Sequence, residues 1–594
     1  MEERNADIAL TKIIDKIKDT KPKFLKSNCD EKFLLDKYNY ILTDQARKRL
    51  DKLYTYIRNQ IPVILEGETG SSKTLTAEII CKYIYEMKKK DRINPETIIE
   101  NEEEKPFIKF NLSANTKIND LMQKFIGDKN CLSGLKIVDG PFYSAFKKGI
   151  PLILDEINLA SEEVLQCIED TLDSGVINIY ISGIGKVFQE MKEGFCLIAT
   201  QNPNKGQYRN KRQNLSQSFL SHFQIIKFPS FEIKELEIIA EKLFKSFDNG
   251  KELELKDKNF ILDLINFHNE WTSSDDIKDN LTCFTIREIA ATVKAYIDEK
   301  KTNAFKIVKV TYASRYSKDK KNKLLEIIGK KESFKQDYED YIKNGANFEI
   351  PEEIKGLYKN KNLKEVIESS IFSLNKGRNI IIVGKEGCGK SYIARVITEI
   401  LKNNYYHFIC TEETKCSNLI GYNAPKNLKE KNYENETIME WKEGLLTKAI
   451  KEGKIFILDN LNEANSTVTE RLNALLDKKY DENKENRDKN KFDIPENPLE
   501  DSIEINENFR IIGVCDSQKI DKMSPAFLNR FDLIVLEDQL EEINKGDEKE
   551  FKLLIKTLFE KEEEKTQTDR IVETELDEFF DNDEEEEEEE KKKR

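Results

Sequence analysis

Short runs of β-branched and other apolar residues recur along the chain, each followed by a glycine-rich turn and then by apolar residues at three- and four-residue spacing. Ile61–Leu65 and Ile380–Val383 are two such runs. Their continuous apolar character predicts buried strands. The segments behind them, Leu75–Met87 and Tyr392–Leu401, have helical period. Two further apolar runs end in "LDEIN" and "LDNLN". Strands alternating with helices predict an α/β fold, a parallel sheet covered by helices. From Phe231 to about Asn347 the period becomes helical, most clearly in "CFTIREIAATVKAYI", Cys283–Ile297.

The pattern occurs twice. The turn after the first run reads "GETGSSKT" and the turn after the second "GKEGCGKS", beginning at Gly67 and at Gly384, 317 residues apart. Downstream, "GPFYSAFKKGIPLILDEINLASEEVLQCIEDTLDSG" parallels "WKEGLLTKAIKEGKIFILDNLNEANSTVTERLNALLD". "FCLIATQNP" then parallels "FRIIGVCDS", and "LSQSFLSHF" parallels "MSPAFLNRF". Ordered matches of this kind indicate two copies of one module. The expected organisation is an N-terminal helical segment (1–40), a first core (41–230), a helical lid and linker (231–347), a second core (348–540), a partial helical segment (541–576) and an acidic tail (577–594). The second module is thus expected to carry a truncated lid.

Composition narrows the function classes. The net charge is −14 over 594 residues, and the tail Asp577–Arg594 alone holds eleven acids and four bases. The remainder is only mildly acidic, which disfavours a dedicated, sequence-specific nucleic-acid binder. Ten cysteines without a C-x-x-C pair and three histidines, His222, His268 and His407, offer neither a zinc site nor a disulfide framework. The start lacks a secretory signal pattern, and no apolar run has the length of a membrane span. A cytoplasmic or nuclear location is expected, away from membranes.

The second glycine turn matches a phosphate-binding loop, G-x-x-x-x-G-K-[ST], and the first matches it at every fixed position but one. Backbone N–H groups of such a loop cradle phosphate at a helix N-terminus, the lysine neutralises it and the hydroxyl binds Mg²⁺. The first loop comprises Gly67, Glu68, Thr69, Gly70, Ser71, Ser72, Lys73 and Thr74. Ser72 stands where the second glycine belongs, which costs strain if that position needs a positive φ. The second loop, Gly384, Lys385, Glu386, Gly387, Cys388, Gly389, Lys390 and Ser391, is complete. Asp155 and Glu156 follow an apolar strand, suited to hold the metal and to deprotonate an attacking water. Thr74, Asp155, Ser391 and Asp459 are the candidate metal-binding residues. In the second module Asn460 replaces the glutamate, and Glu463 matches Leu159 rather than Glu156. Asn202 is a candidate probe of the γ-phosphate; Asp516 takes its place in the second module, where a carboxylate repels phosphate. Arg530 is a candidate transition-state cation, with His222 as its counterpart.

The order phosphate loop, "LDEINLAS", "ATQNP", "SPAFLNRF" resembles the AAA+ ATPases, specifically their dynein-related, midasin-like branch, over roughly Tyr40 to Leu536. The resemblance implies two tandem P-loop AAA+ modules that bind ATP and Mg²⁺, hydrolyse ATP, and form a ring with further modules or by self-association. It implies a protein or ribonucleoprotein client, with pre-ribosomal particles as the midasin-type case. It assigns Lys73 and Lys390 as phosphate-loop lysines, Asp155 and Glu156 as the acidic pair, Asn202 as sensor 1, Arg530 as an arginine finger, and Arg287 as sensor 2; since such a finger serves a neighbouring module, Arg530 is expected to be lent to the first. Between Thr116 and Pro141 there is room for the insert of this branch.

Other readings stay open: an ATP-binding scaffold without turnover, favoured by Asn460, Asp516 and His222, or a GTP-driven subunit of a restriction machine. A mysterin-like ubiquitin ligase lacks its RING spacing here, and a dynein motor lacks its stalk heptads.

Overall fold

The computed structural model describes residues 40–91, 105–112, 116–127, 135–181, 184–203, 214–248, 250–274, 284–344, 351, 361–425, 439–476, 491–494 and 502–537. The expected N-terminal segment apart from Tyr40, the whole of the expected partial helical segment (541–576) and the acidic tail (577–594) lie outside these residues.

Helix α1 (Asp44–Arg58) leads into strand β1 (Val63–Gly67) and helix α2 (Lys73–Asp91). Strands β2 (Ile108–Asn111) and β3 (Leu152–Asp155), helix α3 (Glu162–Ser174), and strands β4 (Leu197–Gln201) and β5 (Gln224–Phe228) complete the first core. The sheet order is β2-β3-β4-β1-β5, parallel throughout. Successive residues of β1 enter opposite cores: Ile64 packs with Leu152, Leu154 and Leu197 on one face, Val63 and Leu65 with Ile153 and Ile198 on the other. A strand buried on both faces reads as a continuous apolar run, which is why the hydrophobic pattern revealed it. The strand begins at Val63 rather than Ile61, because Pro62 has no N–H to give the ladder.

Helices α4 (Ile233–Phe247), α5 (Leu255–Thr272), α6 (Ile286–Asp298), α7 (Ala304–Tyr312), α8 (Lys318–Gly329) and α9 (Glu332–Asn344) form the expected helical bundle. Its core is aromatic: Phe260 stacks on Tyr296 with ring centroids 3.8 Å apart, and Trp271 and Tyr312 are fully buried. Helix α6 starts later than its apolar period, because Thr285 caps it and Glu288 returns a bond to the Thr285 N–H.

The second core repeats the first. Helix α10 (Lys361–Asn375) precedes β6 (Ile380–Gly384) and α11 (Lys390–Ile400). Strands β7 (Tyr405–Ile409) and β8 (Ile455–Asp459), helix α12 (Ser466–Leu476), strand β9 (Arg510–Asp516), the single-turn helix α13 (Pro525–Leu528) and strand β10 (Asp532–Val535) follow. The order β7-β8-β9-β6-β10 is again all parallel.

Among the described residues the second core touches both the lid and the first core. The turn Ala313–Arg315 at the end of α7 packs on β10, and α7 packs on α10. Helix α12 of the second core meets edge strand β2 of the first. Where the insert was expected, a short helix (Ile118–Leu121) and an antiparallel hairpin (Gln123–Gly127 with Leu135–Asp139) are found.

Candidate functional site

The first phosphate loop joins β1 to α2. A Cβ on Gly67 would lie 2.3 Å from the Phe228 carbonyl oxygen, so only glycine lets the loop leave β1 against β5. Ser72 has φ 64°, and its counterpart Gly389 has φ 87°. The position therefore does require the left-handed region, at a cost of about 1–2 kcal/mol for a non-glycine residue. The loop still closes: Ser71 Oγ donates to the Glu68 carbonyl at 2.7 Å, and the Ser72 carbonyl accepts from Thr76 N and Oγ1 at 2.9 and 2.7 Å.

Lys73 is buried. Its Nζ donates to the Gly67 and Glu68 carbonyls at 2.8 and 2.7 Å and to Asn202 Oδ1 at 2.8 Å. Asn202 Nδ2 in turn donates to Glu156 Oε1 at 2.6 Å. Glu156 sits at φ 58° immediately after β3, a turn that swings its carboxylate toward the end of β4. Thr74 Oγ1 donates to Asp155 Oδ1 at 3.0 Å. The structure therefore gathers Lys73, Thr74, Asp155, Glu156 and Asn202 from three adjacent parallel strands at their C-terminal ends, where open α/β sheets bind ligands.

Sequence reasoning did not single out three supports. Thr200 Oγ1 donates to Asp155 Oδ1 and accepts from Glu156 N, fixing both acids at once. Asn158 Nδ2 holds the Asn202 carbonyl at 2.9 Å, and Asn462 accepts from Asp516 N at 3.0 Å in the same place of the second core. Thr285, the cap of α6, lies against Gly70: a Cβ there would be 2.6 Å from the Thr285 Cβ. The bundle thus seats directly on the first loop, with half-buried Arg287 two residues along, its N–H on Thr285 Oγ1 at 3.2 Å. The repeated "N" of "DEIN" and "DNLN" was the available signal for Asn158. For Thr200 and Thr285 none existed, because each acts on a residue distant along the chain.

The second loop has the same frame and a different interior. Ser391 Oγ donates to Asp459 Oδ1 at 3.0 Å, repeating the Thr74–Asp155 pair. Lys390 Nζ instead meets the Lys385 carbonyl at 2.5 Å at the surface. Lys385, Glu386 and Gly387 are exposed, and among the described residues nothing lies within 4 Å of a Cβ on Gly387 or Gly389. Asn460 adopts the φ of Glu156, at 52°, but offers an exposed amide. Asp516 Oδ1 accepts from Gln518 N at 3.0 Å. Glu463 is held by Lys519 and Lys522 at 2.8 and 3.3 Å. His407 Nε2 lies 3.3 Å from Asp459 Oδ2, a contact to which nothing in the motif pointed.

Arg530 ends the turn after α13, its Nη1 donating to the Ala526 carbonyl at 2.5 Å. Helix α13 packs on α12, the helix that meets β2 of the first core. His222 rests between Glu169 and Asp173, at 3.8 and 3.5 Å.

The donor set of the first site fits a nucleotide phosphate with its metal: a buried ammonium on loop carbonyls, a hydroxyl–carboxylate pair, and a second carboxylate beside it. Among the described residues no group of three or more His, Cys, Asp or Glu side chains could hold a metal by itself, and no helix is long and apolar enough to cross a membrane.

Comparison with known proteins agrees with this geometry. A family model described as "AAA domain (dynein-related subfamily)" matches residues 62–223 and 379–531. The chain is similar to midasin of Giardia intestinalis, 25% identical over 600 residues, covering 86% of this chain and 12% of that protein. It is similar to midasin of Dictyostelium discoideum, 23% identical over 532 residues, covering 74% of this chain and 8% of that one. An uncharacterized protein of Staphylococcus aureus is 30% identical over 108 residues, 18% of this chain and 39% of its own. The chain thus spans only a small part of the length of the midasins it matches.

Proposed function

The chain belongs to the dynein-related subfamily of AAA domains, and on that premise we propose that it binds and hydrolyses ATP at its first module, binds nucleotide without turnover at its second, and uses the cycle to remodel a protein or ribonucleoprotein complex. The observation that carries this reading is the bridge made by Asn202 between Lys73 and Glu156. It joins Glu156, Lys73 and Asn202 in one cluster, which supports reading them as base, phosphate-seeking cation and neutral polar probe. The second module has an amide for the base and a carboxylate for the probe.

In the proposed reaction Lys73 turns from its loop carbonyls to the β/γ-phosphates. Thr74 and Asp155 would hold Mg²⁺, which would supply charge neutralisation. Glu156 takes the proton of the attacking water as the new P–O bond forms and the bond to the ADP oxygen breaks. Asn202 keeps the Glu156 carboxylate aimed while its amide faces the γ-phosphate. Arg530 is the transition-state cation supplied by the second module. The packing of α12 on β2 supports this assignment, since it brings the second core against the first. Arg287, beside Thr285 at the first loop, completes the site from the lid.

The client is the finer part of the proposal. The likeness to midasin points to a pre-ribosomal large-subunit particle, and the short share of those proteins covered here points to a ring completed by further modules or by self-association. The organisation proposed from sequence, cores at 41–230 and 348–540 joined by a lid and linker at 231–347, serves as the working division.

The test is steady-state hydrolysis of ATP and of GTP across protein concentration, with Glu156→Gln and Lys390→Ala beside wild type. The proposal expects ATP turnover that Glu156→Gln abolishes and Lys390→Ala retains. Nucleotide bound without turnover would instead establish the scaffold reading, which the positive φ of Ser72 and the altered second site favour. Preference for GTP would establish the restriction-type reading.

A further inference from the structure

Arg315 is nearly sealed from solvent, with 2% of its side chain exposed, and it ends the turn that packs on β10 of the second core. Its Nη2 donates to Glu288 Oε1 at 2.9 Å, and its guanidinium lies over the Phe284 ring at 5.1 Å. Its Nε and Nη1 have no hydrogen-bond partner among the described residues. A buried guanidinium with donors unused is costly, so a shift that supplies those donors with an acceptor is favoured.

The groups on either side indicate what that arrangement serves. Glu288 divides its carboxylate: Oε1 takes Arg315, and Oε2 takes Thr285 N and Oγ1 at 2.6 and 3.0 Å. Thr285 is the residue pressed against Gly70 of the first phosphate loop. On the other side stands Asp532, the first residue of β10 and two residues after Arg530. Its Oδ2 is ion-paired with Arg378 Nε at 3.0 Å, outside hydrogen-bonding angles, and its Oδ1 accepts from Arg378 Nη1 at 3.4 Å. Burial works against the Arg315 charge, and the charges of Glu288 and then Asp532 more than offset it, so Arg315 holds its proton more firmly than usual. Arg378 also donates to Thr311 Oγ1 of α7 at 3.3 Å, so lid and second core share this joint. Three side chains, Thr285, Glu288 and Arg315, thus run from the first loop to the strand that follows the proposed finger.

We infer that Arg315 is a positioning residue that transmits filling of the first phosphate loop to the second module: as Thr285 shifts off Gly70, Glu288 releases Arg315, whose unused donors take Asp532 Oδ2 and reset β10 and Arg530. The inference rests on the first loop being a nucleotide site. The close packing at each contact favours two discrete arrangements over gradual deformation.

The test is hydrogen–deuterium exchange of the full chain with and without a slowly hydrolysed ATP analogue and Mg²⁺, in wild type, Arg315→Gln and Asp532→Asn. Residues 67–80 report the loop and residues 532–537 report β10. In wild type the analogue is expected to slow exchange in both. In each variant the slowing is retained at 67–80 and lost at 532–537, a separation that a purely structural role of Arg315 would not produce. Slowing at 532–537 that persists in the variants overturns the inference, as does its absence in wild type while 67–80 responds. Absence of any response at 67–80 in wild type removes the nucleotide reading and this inference together. If Arg315→Gln does not fold, Asp532→Asn, which leaves the Arg315–Glu288 pair in place, decides between the same outcomes.

Discussion

Asn202 Nδ2 donates to Glu156 Oε1 at 2.6 Å while its Oδ1 accepts from Lys73. The amide can satisfy both neighbours only because one end donates and the other accepts. Replacing it by aspartate, the residue at this place in the second module, sets two carboxylates side by side. Asn202→Asp is expected to lower ATP turnover by at least about 100-fold, roughly 2.7 kcal/mol of transition-state stabilisation, with nucleotide binding retained. Steady-state hydrolysis beside fluorescent-nucleotide titration measures both; turnover at the wild-type rate would remove Asn202 from the mechanism.

Ser72 holds a left-handed backbone that glycine adopts freely. Ser72→Gly removes that strain but gives the unfolded chain more freedom, so a net gain of about 0.5–1 kcal/mol is expected. Denaturant unfolding should show a higher midpoint at unchanged slope. A lower midpoint would mean that the hydroxyl contributes more than the strain costs.

Arg530 is separated from the first loop by hundreds of residues, and its module reaches the first core through α12. Arg530→Ala is expected to reduce hydrolysis about 1,000-fold, the lower end for arginine fingers, and to leave binding intact. Hydrolysis unchanged in Arg530→Ala, in a preparation where Glu156→Gln abolishes it, would show that this arginine serves neither site.

His268 Nδ1 lies 3.0 Å from the Tyr312 hydroxyl inside the lid, and burial pushes its pKa down to about 4, partly opposed by the charge of Glu288. The folded value lies below the ordinary 6.5, so the linked stability is whole above pH 6.5 and is lost as pH falls toward 4. Between pH 7 and pH 5 the loss amounts to roughly 2 kcal/mol. His268→Asn is expected to flatten that dependence, measured as the difference in urea midpoint between the two pH values. An unchanged difference would place the acid sensitivity elsewhere.

How much of this was legible beforehand follows the range of each interaction. Lys73, Thr74, Asp155 and Asn202 were found because each sits in a short motif beside a buried strand, and a parallel strand buried on both faces must be apolar along its length. The missing glycine left open whether this position needs a positive φ, and the loop geometry shows that it does. The amphipathic period of Cys283–Ile297 does not say where α6 begins; the start is set where Thr285 and Glu288 satisfy the first N–H groups.

The sequence by itself determined the two phosphate loops, the acidic strand ends, their differences between the modules and the helical stretch between them, because these are written in local residue types and in periods of two and 3.6. Only the tertiary structure decided that Thr285 seats on Gly70, that Thr200 braces both acids of the first site, that His407 faces Asp459, and that Arg315 is buried between lid and second core with donors unused. Those relationships depend on which faces pack together across more than forty residues of chain, and no local pattern records which of many compatible faces will meet.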